Sequence, residues 1–161
     1  MALLALVAGG TSPLPAQAPG ATLGFQGLRP AMSRTAIDSV LAGHRAQLRC
    51  QPTREPRLQA CSAEATFAGG DRTTVTVHLV DNRVGIALIA ARLPAERIAD
   101  WHDELTRAYG DAPPERRPGQ ESFQWIRNGQ MLRLTVRREA GGLVASVSLI
   151  DGPLLDGLPA P

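Results

Sequence analysis

Apolar residues recur at helical spacing in two places along the chain and at a spacing of two through most of the remainder. In MSRTAIDSVLAG, residues 32–43, Ala36, Ile37, Val40 and Leu41 fall on one face of a helix. Ser33 stands where an N-cap side chain accepts a hydrogen bond from the first turn, Met32 and Ile37 can close a hydrophobic staple across it, and Gly43 ends the stretch. A short packing helix is expected. A second helix is expected from Pro94: Glu96 lies in its first turn, Ile98, Trp101, Leu105 and Ala108 form one stripe, and Gly110 stops it. His102 and Asp103 ride the polar side. Neighbours in sequence do not face each other on a helix, so a solvated surface is expected there rather than an acid–base pair.

Elsewhere the period is two. TTVTVHLV, residues 73–80, places Val75, Val77 and Leu79 on one face and Thr74, Thr76 and His78 on the other. Asp81-Asn82 reads as a tight turn, after which VGIALIAA is apolar on both faces, as an inner or doubly covered strand would be. ESFQWIR, an Asn128-Gly129 turn, MLRLTVRRE, Gly141-Gly142 and LVASVSLID then predict three antiparallel strands after the second helix.

The two halves follow one order. Each has a helix ended by Gly (Gly43, Gly110), an Arg/Pro-rich gap, a strand pair meeting at Ala-Gly-Gly (68–70, 140–142), and a closing strand, VHLVD to Asp81 or VSLID to Asp151. The expected fold class is α+β, with two tandem helix plus antiparallel-sheet units, helices packed on one face of the sheet. The expected division is an export signal over 1–18, a flexible linker over 19–26, units over 27–92 and 93–151, and a Pro/Gly-rich tail over 152–161.

Gly27, Leu28, Met32, Ser33, Ile37, Val40 and Leu41, with Gly43 one residue late, are similar to a helix-opening signature, G-[IL]-x-x-G-M-[ST]-x-x-[EQ]-[VI]-x-x-[IL]-[LF]-G. Ala31 and Ala36 depart from it. The signature belongs to small exported bacterial domains of the beta-lactamase-inhibitor-protein-like class and the related SmpA-like outer-membrane-assembly lipoproteins. The resemblance implies a helix-and-sheet fold and a role in protein binding or envelope assembly, and it carries over no catalytic residue.

Composition narrows the functional classes. With 161 residues and 43% hydrophobic content, the chain can bury one ordinary core, or two small lobes that share one. Its formal charge of +2 comes from 17 basic and 15 acidic residues without a run of either sign, which argues against a nucleic-acid arm. All the basic residues are Arg. Guanidinium forks suit carboxylates and phosphates, but Arg together with abundant Ala, Gly, Pro and Leu is better explained by a GC-rich coding sequence.

The opening MALLALVAGGTSPLPAQAPG carries an apolar run from Ala2 to Ala8 and Ala16-Gln17-Ala18 as a cleavage-site pattern, although no basic residue precedes Arg29. The run is shorter than the roughly 20 residues that cross a bilayer, so no transmembrane segment is expected, and no Cys follows it to take a lipid. Cys50 and Cys61 are the only cysteines, and in an exported chain they are expected to pair. Periplasmic or secreted localisation follows.

No G-x-S-x-G, H-E-x-x-H or phosphate loop is present, and His44, His78 and His102 are scattered, so no catalytic, cofactor or metal site is expected. The polar sheet face should show Thr74, Thr76, His78, Gln124, Arg133, Thr135, Arg137, Ser146 and Ser148. Of these, His78, Gln124, Arg133, Thr135 and Arg137 are the candidate contacts for an unidentified protein partner. Trp101, Phe123 and Trp125 are assigned to the core, and an outward Trp125 would strengthen the binding reading. The expected function is a non-catalytic exported protein-binding or envelope-assembly module. The alternatives are a structural envelope subunit that pairs through an exposed LVDNRVGIALI edge, and a small-ligand-binding protein or enzyme.

Overall fold

The computed structural model describes residues 22–158. The element order is α1 (Arg34–Gly43), β1 (Arg49–Pro52), β2 (Leu58–Thr66), β3 (Arg72–Val80), β4 (Arg83–Arg92), α2 (Ala95–Tyr109), β5 (Glu115–Arg117), β6 (Gln120–Arg127), β7 (Gln130–Glu139), β8 (Gly142–Asp151) and α3 (Gly152–Asp156). The export signal read over 1–18 lies outside the described residues, as does the end of the tail.

Local chemistry explains the ends of the elements. Ser33 Oγ accepts from the Ala36 amide at 3.2 Å and caps α1. The entry to α1 is also held by backbone pairing: the Ala31 amide donates to the Val84 carbonyl, Val84 to Met32 and Arg34 to Asn82, each at 2.8 Å. Gly110, with φ of 87°, ends α2 and donates its amide to Thr106. After α1 the left-handed residue is Arg45 (φ 55°) rather than Gly43. Asp81-Asn82 and Asn128-Gly129 are two-residue hairpin turns with positive φ throughout.

The expected pair of helix-plus-sheet units, 27–92 and 93–151 with helices packed on one face, is not what forms. The protein is predominantly one eight-stranded antiparallel sheet, in the order β1-β2-β3-β4-β8-β7-β6-β5, accompanied by three short helices. Backbone pairing is the cause. β4 and β8, the last strands within 27–92 and 93–151, pair continuously from Ile86↔Ile150 to Arg92↔Val144, so both are interior to a common sheet, with their amides and carbonyls satisfied on both sides. Short strands inside the two Arg/Pro-rich gaps, β1 and β5, become the outer edges.

One core unites the chain. Val75, Val77 and Leu79 of β3, Ala87 and Ile89 of β4, Leu132 and Leu134 of β7, and Val147 and Leu149 of β8 are buried with Ile37 and Leu41 of α1 and Ile98, Trp101 and Leu105 of α2. Full burial of each large aliphatic side chain is worth about 1.5–3 kcal/mol. The stretch read as a linker contributes to this core: Leu23 is fully buried and Phe25 sits edge-on to Trp101, ring centroids 4.9 Å apart. Tyr109 ties the same segment down, since its hydroxyl accepts from the Gly24 amide and donates to the Gly24 carbonyl, both at 2.8 Å. The tail begins as α3, whose Asp151 N-cap accepts from Leu154 at 3.0 Å and from Gln130 Nε2 at 2.9 Å.

Cys50 and Cys61 are bonded and stand directly opposite each other on β1 and β2. Arg34 Nη1 donates to Cys50 Sγ at 3.0 Å, linking the start of α1 to the bridge.

Candidate functional site

Alternate side chains of each strand point away from the core, and the register aligns them in rows across the outer face of the sheet. One row runs Ala60, His78, Ile86, Ile150, Met131, Ile126 from β2 to β6. The next runs Ser62, Thr76, Leu88, Ser148, Arg133, Gln124, and a third runs Glu64, Thr74, Ala90, Ser146, Thr135, Ser122. Beyond it come Arg92, Val144, Arg137 and Gln120.

The face is therefore graded. Its first row is largely aliphatic and ends at Ile126, a large hydrophobic side chain left 65% exposed. The second row carries a fixed cation: Arg133 donates from Nε at 3.0 Å and from Nη2 at 2.6 Å to Gln124 Oε1, with Glu115 Oε2 3.8 Å away. A guanidinium held this way presents its remaining donors with little rotamer entropy left to lose. Arg137, four residues along β7 from Arg133, is exposed and has no side-chain partner among the described residues.

Gln124, Arg133, Thr135 and Arg137 thus come together on β6 and β7. His78 does not join them: it lies on β3, three strands from β7, about 14 Å at ordinary strand spacing. Trp125 points inward, 6% exposed, and donates Nε1–H to the Gly110 carbonyl at 2.7 Å, so it adds nothing to the outer face. The residues that sequence reasoning overlooked are Ile126, Met131, Ile86 and Ile150. Alternation in MLRLTVRRE puts Met131 on the same face as Arg133, and VGIALIAA is apolar on both faces at Ile86, but the row appears only when strands distant in sequence are set side by side.

α3 closes one end of this face. Leu155 Cδ2 lies where a Cβ on Gly85 would meet it at 3.2 Å, beside fully buried Val80. Gly85 is the extra residue of a bulge where the β3–β4 register shifts.

The other groups with chemical potential are engaged structurally. His102 Nδ1 is 3.6 Å from Asp103 Oδ1, yet its ring packs on Phe123 with centroids 4.4 Å apart and Asp103 is 70% exposed. Glu104 on α2 has its carboxyl held above the usual range, because burial penalises the charge more than Arg107 favours it. Asp81 is held below the usual range by its hydrogen bonds from Arg57. Among the described residues no cluster of His, Cys, Asp and Glu is placed to hold a metal ion, and no helix is long and apolar enough to cross a membrane.

Comparison with known proteins finds no matching family model, no similar curated protein and no similar solved structure.

Proposed function

We propose that the protein is a non-catalytic binding module of the bacterial cell envelope that receives a protein partner on the outer face of its sheet, over β6, β7, β8 and β4. The observation that carries this reading is the aliphatic row ending in exposed Ile126, bordered by the oriented Arg133, with Arg137 two rows further along β7. An apolar centre with a guanidinium rim is the composition of a binding patch, and it suits a partner that offers an apolar ridge flanked by carboxylates. The disulfide supports an oxidising, exported setting, and the resemblance to exported inhibitor-like and assembly domains agrees with a binding role.

The structural-subunit alternative loses its proposed edge. The LVDNRVGIALI segment spans the β3–β4 hairpin, and β4 is paired with β3 on one side and β8 on the other. No open strand is left there to accept another chain.

The test is capture of a partner from envelope extract by the purified, oxidised full chain, repeated with Ile126→Glu and Arg133→Glu. Both side chains are on the outer face, so stability should change by no more than about 0.5 kcal/mol for exposed Ile126. Loss of one defined partner with both variants supports the reading. Capture that is indifferent to both overturns it.

A further inference from the structure

The edge strands are defended unequally. β5 is three residues long, charged throughout and followed by Pro118, and β1 ends at Pro52. These are the usual devices against unwanted pairing. β1, however, covers only Gln59 to Ser62 of β2. From Ala63 to Thr66, β2 is paired with β3 on one side and with no strand on the other.

The direction of the free backbone groups follows from the ladder. Cys50 and Cys61 face each other at a Cα separation of 3.9 Å, the close, non-hydrogen-bonded kind of pair. Ser62 and Ala60 therefore exchange hydrogen bonds with β1, and the same alternation turns the amide and carbonyl of Glu64, and of Thr66, toward the open side. Two contacts agree with this parity: the Thr66 carbonyl meets His44 Nδ1 at 3.1 Å on that side, and Phe67 donates toward Asp71 on the other. The Glu64 amide and carbonyl and the Thr66 amide have no backbone partner among the described residues.

A groove runs along these groups instead of a strand. The chain between α1 and β1 turns Leu48 into the core and leaves a space of about 460 Å³ lined by Arg45, Gln47, Arg49, Ser62 and Glu64. It adjoins a second of about 790 Å³ that Arg45 and Glu64 share with Arg72. Three guanidiniums thus surround one carboxylate. Glu64 is already engaged, accepting from Thr74 Oγ1 at 2.8 Å with Arg72 at 3.9 Å, whereas Arg45 and Arg49 have no side-chain partner among the described residues.

We infer that this stretch of β2 accepts an extended acidic peptide segment as an added strand, antiparallel to β2 and in line with β1. The open stretch, four residues or about 13 Å long, supplies three free backbone groups, the Glu64 amide and carbonyl and the Thr66 amide. Arg45, Arg49 and Arg72 select carboxylate side chains and reject cationic ones. The site lies at the edge of the sheet and is separate from the β6–β7 face proposed above.

The probe is a fluorescent acetylated and amidated hexapeptide alternating Glu and Val, titrated by anisotropy into the oxidised full chain beside its Lys–Val counterpart. Two further versions carry N-methyl groups on one or the other alternate set of amides. The Glu peptide should bind at least about tenfold tighter than the Lys peptide, and only one of the N-methylated versions should lose binding, by about tenfold or more. Amide exchange at Glu64 and Thr66 should slow on binding. An Arg45→Ser/Arg49→Ser double variant should weaken binding about tenfold while its thermal unfolding stays unchanged. Absence of binding at millimolar peptide, equal effects of the two N-methylated sets, or unaltered exchange at Glu64 would each overturn the assignment.

Discussion

Trp125 offers the sharpest check on how the outer face and the core are divided. Its indole is 6% exposed, and Nε1–H is bonded to the carbonyl of Gly110, the residue that terminates α2. Truncation to Ala removes a side chain whose loss from a core typically costs 3–5 kcal/mol and leaves the Gly110 carbonyl without its donor, worth about 1 kcal/mol. A loss of about 4–6 kcal/mol is expected, a large part of the roughly 5–15 kcal/mol that stabilises an ordinary domain. Trp125→Phe keeps most of the packing and removes the donor, so it should cost about 1–2 kcal/mol. Urea unfolding under non-reducing conditions measures both, because Trp101, 3% exposed in the same core, remains as a fluorescence reporter in each variant. With an m-value of about 2 kcal/mol/M the Ala midpoint should fall by about 2–3 M. A loss below about 1 kcal/mol with an unchanged m-value would refute the inward placement and return Trp125 to the outer face.

Three further outcomes are expected. Asp151→Ala removes the N-cap of α3 and the acceptor of Gln130 together, and should cost about 1–2 kcal/mol in denaturant unfolding. Reduction of the Cys50–Cys61 bridge, which joins residues 11 apart, should lower stability by about 2–3 kcal/mol, read as a drop in Tm with reductant. The raised Glu104 carboxyl predicts stability that is full below the ordinary carboxylate pKa and falls as pH rises through its folded value, since the unfolded chain releases this proton first. Glu104→Gln should flatten that part of the pH–stability curve, and an unchanged profile would show that burial of Glu104 is not its source.

Legibility in the sequence tracked the range of the interactions. Ser33 caps α1, Asp81-Asn82 and Asn128-Gly129 form hairpins, and Gly110 ends α2, because each is settled by contacts within a few residues. The alternation in TTVTVHLV and MLRLTVRRE assigned sides correctly, since Val75, Val77, Leu132 and Leu134 are buried. The cysteine pair could be read from number and context alone.

What no local pattern carried was the lateral order of strands. Ile86 meets Ile150 across 64 residues of chain, and that ladder is made of backbone groups identical at every residue, so nothing near either position announces it. For the same reason β1 and β5 stayed hidden in Arg/Pro-rich stretches: their partners, not their side chains, make them strands. Periodicity and capping residues wrote the helices, the turns and the two faces of each strand into the chain. The merging of both halves into one sheet, the aliphatic row that leads to Ile126, and the open edge beside Glu64 came from tertiary pairing, where long-range backbone hydrogen bonds and a shared core outweigh local preference.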